Sequence, residues 1–326
     1  MKALFLIAPL LLLTSSIASS EEPSISPPTA KEYCRNRHEI NPHWLDQSHD
    51  YLTRKLCEPV FWFDSFFGEH IADDERNVGS FVRVRNELRW DEKDQLKFRL
   101  RVHADIKVPN ATRKLRLLLT DIDPMRGDDP RDDLIAKSDT KEKFRLGLRY
   151  NVLDKKQSKF SISGGLHFRN PLEPFIRGRY RYIRPLSKQT QTRFTSTVFW
   201  EKEDGFGISA RLDWEHLFTP KTMIRLWGDA RISEITKNTE LGSGASIFHQ
   251  LSTKKALSYD FHVRGNTQEN HVDETRLGIR YRQNFYRPWL FYEIEPEIRW
   301  KRDEDTLIQE RIWGLILRLE IQFERF

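Results

Sequence analysis

The stretch QLKFRLRVHADIKVP, residues 95–109, alternates between apolar and polar residues almost without error. A period of two indicates a β-strand whose two faces differ chemically. One parity is mostly charged, so such a strand needs a wet environment on one side and an apolar environment on the other. The apolar parity consists of Leu96, Phe98, Leu100, Val102, Ala104, Ile106 and Val108.

The same pattern recurs from Val78 to the end of the chain, in segments separated by polar turns. Leu118 and Phe248 interrupt the alternation of the third and tenth segments. An even number of consecutive strands predicts an antiparallel meander of the kind found in barrels. We count fourteen candidate strands, at 79–90, 95–108, 113–121, 143–152, 158–169, 174–184, 191–201, 205–217, 221–233, 243–252, 255–265, 273–285, 288–300 and 307–324.

Alternation fits a soluble β-sandwich as well as a membrane barrel, because both have one apolar face. Two observations favour the barrel. A sandwich would leave many close-set arginines on open sheets. Aromatic residues also mark strand ends, as in the girdles of membrane barrels, at Trp90, Trp200, Trp214, Tyr281, Tyr292 and Trp300.

The turns form two populations, and this is the third observation that favours a barrel. Odd-numbered gaps are acidic and variable in length, as in EKEDG at 201–205. Even-numbered gaps are short, basic or neutral, and often contain proline, as in FTPKT at 218–222. Alternate turns of a meander lie at opposite ends, so the two populations predict two chemically different sides. We expect the short turns to face the periplasm.

Composition excludes a helical membrane protein. The chain has 326 residues, 31% of them charged, and its mean hydropathy is -0.66. Beyond the N-terminus it contains no apolar run of about 18 residues, which is what a membrane-spanning helix needs. Residues 1–20 have the features of a secretory signal peptide: Lys2, a short apolar stretch, and the small residues Ala18 and Ser20 before cleavage.

Residues 21–77 are predicted to be a periplasmic linker and helical hairpin. Cys34 and Cys57 are the only cysteines, and in an exported protein such a pair favours a disulfide. A metal site that includes the intervening histidines is the alternative, but the spacing matches no standard zinc pattern. The aromatic run VFWFDSFFGEH, residues 60–70, either packs within the hairpin, docks in or beneath the barrel, or touches a membrane interface.

With its signal peptide, its meander and the terminal Phe326, the chain resembles the porin-like outer-membrane β-barrel proteins of Gram-negative bacteria. The resemblance covers residues 78–326 and implies an all-β, antiparallel up-and-down transmembrane β-barrel. It also implies contact with outer-membrane lipid and lipopolysaccharide, and assembly by the barrel-assembly machinery, which recognises a final aromatic residue. Phe326 is out of phase with the apolar parity that ends at Phe323. Either Phe323 closes the strand or a bulge resets the phase, so both are candidate assembly signals.

The orientation of the strands follows from the cost of placing charge in lipid. In hydrocarbon every backbone polar group needs a partner, so only a closed barrel can present such strands to lipid. A one-residue slip of the strand at 95–108 would expose four basic residues, at about 2–4 kcal/mol each, or roughly 8–16 kcal/mol. The charged parity therefore faces the lumen. The predicted lumen and selectivity residues are Arg83, Arg85, Lys97, Arg99, Arg101, Arg145, Arg149, Arg177, Arg179, Arg181, Arg276, Arg280, Arg282, Glu293, Glu295 and Glu297.

This lumen is mostly basic, and charged rings set the selectivity of pores. We therefore expect a pore or uptake channel that favours small anionic solutes. The alternative is a closed structural barrel in which arginines pair with carboxylates and no solute passes.

A membrane-embedded hydrolase is a further hypothesis. Ser258, Asp260 and His262 share the lumenal parity but span about 13 Å along one strand, which is too far for a hydrogen-bonded relay. We expect no catalytic residue, no metal, no cofactor and no nucleic-acid partner.

Overall fold

The computed structural model describes most of the chain beyond residue 80 and four residues before it. The described residues are 62–63, 66–67, 81–93, 95–107, 114–120, 144–155, 157–168, 171–202, 204–235, 237–267, 271–302 and 308–324. The predicted signal peptide, Cys34, Cys57 and Phe326 lie outside them, so the disulfide and the terminal assembly signal stay predictions. Within the described part of the chain, no helix is both long and apolar enough to cross a membrane.

The alternating segments form fourteen strands, as the sequence predicts. They are β1 (Phe81–Asp91), β2 (Gln95–Lys107), β3 (Leu115–Thr120), β4 (Phe144–Asp154), β5 (Ser158–Phe168), β6 (Glu173–Pro185), β7 (Thr190–Glu201), β8 (Gly205–Thr219), β9 (Thr222–Ser233), β10 (Thr239–Ser252), β11 (Lys255–Asn266), β12 (His271–Asn284), β13 (Leu290–Arg302) and β14 (Gln309–Glu324).

The strands close into one barrel. Each strand pairs with the next along the chain, and β1 also pairs with β14, antiparallel, from Phe81 opposite Glu324 to Asp91 opposite Gly314. Every strand therefore pairs with a neighbour on both sides over at least part of its length, which is what a sheet needs to stand in hydrocarbon. The predicted all-β, antiparallel up-and-down barrel is confirmed.

The barrel is apolar outside and charged inside. Phe98 is 68% exposed on the outer face, whereas Arg282 is 0% exposed on the inner face. A soluble sandwich has the opposite arrangement, because its apolar side chains are the buried ones. The sandwich interpretation is therefore wrong. An apolar exterior around a charged interior is the arrangement of transmembrane β-barrels.

The two ends of the barrel differ in their connections. We call the end that carries the connections after β1, β3, β5, β7, β9, β11 and β13 the loop end. The opposite end, where β1 begins and β14 ends, is the turn end, and its connections include the tight turns at 220–221 and 253–254. The two populations of gaps in the sequence thus lie at opposite ends.

Aromatic residues mark both ends, as expected of girdles. Of the six predicted aromatics, the structure places three at the loop end (Trp90, Trp200 and Trp300) and three at the turn end (Trp214, Tyr281 and Tyr292). The hydroxyls of Tyr281 and Tyr292 both donate to Oε1 of Gln283, at 2.6 and 2.9 Å. Such rings place an apolar body in lipid and a polar tip in water.

The structure departs from the predicted strand boundaries most at β10. This strand begins at Thr239 instead of residue 243, because Gly242 and Gly244 have no side chain to reveal the period. The two residues that interrupt the alternation, Leu118 and Phe248, both face the lumen. β14 continues to Glu324 with Phe323 on the outer face, 44% exposed.

Candidate functional site

The barrel interior brings the predicted lumen residues together. All of them lie on the inward-facing parity of their strands, and all except Lys97 are buried or half-buried. Lys97 lies opposite Arg89 near the loop end and is exposed. The charge is not spread evenly around the interior, and two walls of the barrel differ sharply.

The first wall consists of the inward-facing residues of β12, β13, β14 and β1, and we call it the paired wall. Its buried acidic and basic groups are equal in number, seven of each. The half-buried positions add one of each, Arg89 and Glu310. The buried groups are Arg83, Arg85, Arg276, Arg280, Arg282, Arg299 and Arg318 on the basic side, and Glu87, Asp91, Glu274, Glu293, Glu295, Glu297 and Glu320 on the acidic side.

Arg318 is the hub of the paired wall. Its guanidinium donates to Glu87 on β1 at 2.9 Å, to Glu293 on β13 at 3.1 Å, and to Glu295. The planar fork of arginine suits several carboxylates at once. One buried cation thus connects three strands.

Two other arginines extend this network along β12. Arg282 donates to Glu320 at 2.8 Å and also to Glu293, while Arg276 lies 2.6 Å from Glu295 and 2.5 Å from Glu297. Buried ion pairs repay their desolvation cost only when such hydrogen bonds are made. The paired wall is therefore an electrically balanced lining.

The second wall consists of the inward-facing residues of β2 to β6, and we call it the basic wall. It carries five buried arginines (Arg101, Arg116, Arg145, Arg177 and Arg181) against two buried acids (Asp105 and Glu173). The half-buried positions add only bases: Arg99, Arg149, Lys159 and Arg179. Some of these groups are paired, since Arg116 donates to Asp105 and Arg177 lies 2.6 Å from Glu201 of β7. Nine bases against two acids nevertheless leave this wall strongly positive.

A pocket opens on the basic wall at the turn end. The empty space in this open pocket, counted together with solvent at its mouth, is about 480 Å³. Its lining includes Arg116, Arg149, Arg179, Arg181, Lys159 and Asp105. A β-bulge in β4, between Asn151 and Leu153, shifts the inward parity, so that Asn151 and Asp154 lie opposite the inward-facing Ser161 and Lys159. Bulges redirect side chains in this way at barrel rims.

Four described residues of the aromatic run, Trp62, Phe63, Phe66 and Phe67, lie at the turn end of the barrel, and we call them the aromatic segment. Phe63, Phe66 and Phe67 are helical residues that pack in one buried cluster with Leu217, Met223, Phe248, Ala256 and Phe291 of the inner face. The ring of Phe67 lies 5.2 Å from that of Phe248, and the ring of Phe66 lies 5.9 Å from that of Phe291. Of the interpretations left open by the sequence, docking inside the barrel is the correct one for these residues.

Arginines of the paired wall hold this aromatic cluster. The guanidinium carbon of Arg280 lies 4.5 Å from the ring centre of Phe67, and that of Arg282 lies 4.3 Å from Phe291. Cation–π contacts of this kind are strongest where water is excluded. The aromatic segment thus contacts the paired wall and β8–β11, whereas the pocket of the basic wall is lined by residues of β2–β6.

Elsewhere, inward-facing aromatic rings occupy the space beside glycines of a neighbouring strand. Phe199 on β7 occupies the space that a Cβ at Gly207 would need, and Trp227 on β9 does the same at Gly244. Arg231 covers the first ring at 5.0 Å. Glycine is required at such positions because two elements approach closely.

The structure argues against a hydrolase at Ser258. The Ser258 hydroxyl donates to Oδ2 of Asp260 at 2.5 Å, and Arg280 lies 3.4 Å away on the other side. In a Ser-His-Asp relay the serine donates to a histidine instead, so the three residues do not form that relay here.

Several inward-facing members of the site were not predicted from the sequence. Arg116 was overlooked because Leu118 obscures the period of the short strand β3. Arg318 and Glu320 lie between the apolar residues of β14, on the inward parity, and the alternation there was signal enough to find them. The apolar lumenal residues that receive the aromatic segment also had a signal, because Phe248 and Phe291 are apolar on a charged parity.

Comparisons with known proteins give similarity at the level of fold only. No protein-family model matches the sequence, and neither does any curated protein. Solved structures with a similar fold are outer-membrane channels and porins. They include the anion-selective porin from Comamonas acidovorans, at 9% identity and a TM-score of 0.45, covering 75% of this chain and 98% of that one.

Two further similar structures have the same low similarity. The CymD monoaromatic hydrocarbon channel has 7% identity and a TM-score of 0.47, covering 81% of this chain and 92% of its own. The outer-membrane channel DcaP of Acinetobacter baumannii has 7% identity and a TM-score of 0.45, covering 75% and 96%. Similarity this low carries no information about solutes.

Proposed function

We propose that this protein is an outer-membrane pore whose lumen favours anionic solutes. The observation that supports this is the inequality of the two walls. The paired wall has as many acids as bases, whereas the basic wall has nine buried or half-buried bases and two acids. The electrostatic field in the lumen therefore comes mainly from the basic wall.

A solute that passes through the lumen is subject to the electrostatic field of the unbalanced charge. A charged lining raises the local concentration of counter-ions and sets selectivity. In the paired wall the charges balance, and Arg83, Arg85, Arg276, Arg282, Arg299 and Arg318 each lie within 4 Å of a carboxylate. That wall therefore contributes little net field. Anions should therefore move along β2–β6.

Reversal potentials in planar bilayers test the proposal. With a potassium chloride gradient across the membrane, the reversal potential of the current through the full-length protein should lie between zero and the chloride equilibrium potential. Neutralising one basic-wall charge with Arg179→Gln should reduce the chloride preference severalfold, since a charge at about 4 Å is worth about 1 kcal/mol even in water.

Arg184→Gln is the matched control for this experiment. Arg184 is on the same strand as Arg179, but it faces outward and is exposed. This variant should keep the wild-type reversal potential. A preference for potassium, or an equal loss of chloride preference in both variants, would reject the basic wall as the selectivity element.

A closed structural barrel is the second candidate, and specific observations favour it. The buried ion pairs of the paired wall and the aromatic segment both fill the lumen. In this case the full-length protein inserts into bilayers and remains electrically silent. Silence of protein shown to be folded by its heat-modifiable gel mobility would favour this candidate over the pore.

The proposed location is the bacterial outer membrane, with the N-terminal segment in the periplasm. The apolar exterior of the barrel and the strand edges removed by closure support an integral membrane protein. Separation of inner and outer membranes should recover the protein with the outer membrane. Recovery in the soluble fraction would overturn both the location and the pore.

A further inference from the structure

The pocket at the turn end of the basic wall has the charge of an anion-binding site. Its lining contains five basic side chains, those of Arg116, Arg149, Lys159, Arg179 and Arg181, and two acidic ones, Asp105 and Asp154. Five positive groups and two negative groups leave a net charge of three positive. This excess is a property of the whole lining, whatever the pairing of its individual members.

The two carboxylates of the pocket are both engaged by bases of the pocket. Asp105 accepts from Arg116 and lies 3.7 Å from Arg149, while Asp154 lies 3.6 Å from Lys159. These ion pairs fix the positions of three bases of the pocket. An incoming anion thus meets a preformed cationic surface, which lowers the entropy cost of binding.

The neutral residues of the pocket point to an organic ligand. Asn151 and Ser161 lie on the inward parity and offer an amide and a hydroxyl, which suit the hydroxyl groups of a ligand. Guanidinium groups bind carboxylates in a bidentate manner. We propose that this pocket binds an organic di- or tricarboxylate on its way through the pore.

This inference deepens the proposed pore function and rests on it, because the pocket lies on the anion path. The described residues of the aromatic segment contact β8–β13, whereas the pocket is lined by residues of β2–β6. We expect a solute to cross the turn end on the side of the pocket. A binding site at the mouth raises uptake at low solute concentration, provided that binding is weak enough for release.

Calorimetric titration of the full-length protein in detergent tests the site. The probes are citrate, tricarballylate, acetate and inorganic phosphate, at one fixed ionic strength. Citrate and tricarballylate should bind at least about tenfold more tightly than acetate, because each added bidentate contact of about 1.4 kcal/mol gives a factor of ten.

Variants of two basic-wall arginines locate the binding. The double variant Arg179→Gln, Arg181→Gln should weaken citrate binding by at least about a hundredfold, since two charge-assisted contacts are lost. Arg184→Gln, which neutralises an exposed outward-facing residue of the same strand, should bind citrate like the wild type. If the double variant does not fold, Arg179→Lys serves instead, and it should lose about tenfold because lysine keeps the charge without the bidentate fork.

Several outcomes overturn the site. Equal affinity for acetate and citrate, or full citrate affinity in the arginine variants, would mean non-specific attraction to a basic lumen. Tighter binding of phosphate than of citrate would mean an inorganic anion site. Failure of the site and failure of the pore are distinguishable. A protein that conducts anions without binding citrate loses the site, and one that binds citrate but stays silent in bilayers loses the pore.

Discussion

The paired wall and the basic wall are both made of β-strands with inward-facing arginines, yet they differ in what surrounds each guanidinium. Arg318 on β14 donates to three carboxylates, from β1 and β13. Arg179 on β6 lies between Arg177 and Arg181 on the same face of its strand. The charge balance of the wall thus separates an arginine that holds the barrel together from one that belongs to a row of like charges.

The difference between the two walls shows how one lumen can be both filled and selective. Balanced charges satisfy each other and need no water, so they can be packed like a core. Unbalanced charges repel each other and keep their hydration, so they favour a wet surface. Each wall therefore predicts a different response to the same substitution.

The largest effect is expected at the hub of the paired wall. Arg318→Gln should lower the free energy of unfolding by at least about 3–5 kcal/mol, because it leaves buried carboxylates without their cation. The measurement is the urea midpoint of the protein folded in detergent. Arg311→Gln, at an exposed outward position of the same strand, should change stability by less than about 0.5 kcal/mol. If the two variants unfold alike, the ion pairs of the paired wall do not stabilise the barrel.

The next effect concerns the aromatic segment, which is anchored on the paired-wall side. Phe67→Ala should weaken docking by about 3 kcal/mol, and so lower the equilibrium constant for docking by about two orders of magnitude. Single-channel conductance should rise, while the reversal potential set by the basic wall stays the same. Phe218→Ala removes an outward-facing ring at the same end of the barrel and should leave conductance unchanged. Conductance equal in both variants would show that the segment does not narrow the path.

The smallest effect is expected on the basic wall. Arg179→Gln should change the free energy of unfolding by less than about 1 kcal/mol, because it removes one of several like charges that repel each other. The same urea titration measures it. A loss as large as that of Arg318→Gln would contradict the distinction between the walls, whatever the variant does to selectivity.

Much of the fold could be predicted from the sequence, because lipid enforces a strict rule. All fourteen strands, the closed meander and the inward parity follow from alternation and from the cost of charge in hydrocarbon. The pairing of charges within the lumen could not be predicted. Arg318 meets Glu87 only because β14 returns to β1, and which carboxylates surround an arginine depends on register.

The docking of the aromatic segment was also beyond local patterns. Phe248 is an exception to the alternation of β10, and its reason lies nearly two hundred residues earlier, in Phe63 and Phe67. An apolar residue on a charged parity is a signal that something apolar must cover it. Only the closed barrel shows that Phe291, Met223 and Leu217 share this need at the same end.

The seam between β1 and β14 has a consequence for the order of assembly. Arg85 lies 2.5 Å from Glu320, and the pair joins residues 235 apart in the chain. Until β14 is added, Glu293 and Glu295 of β13 lack Arg318 and can pair only with arginines of β12. Addition of the final strand thus forms the backbone hydrogen bonds between β14 and β1 and the ion pairs across that seam in one step. A chain truncated before β14 is therefore expected to stall as an open sheet.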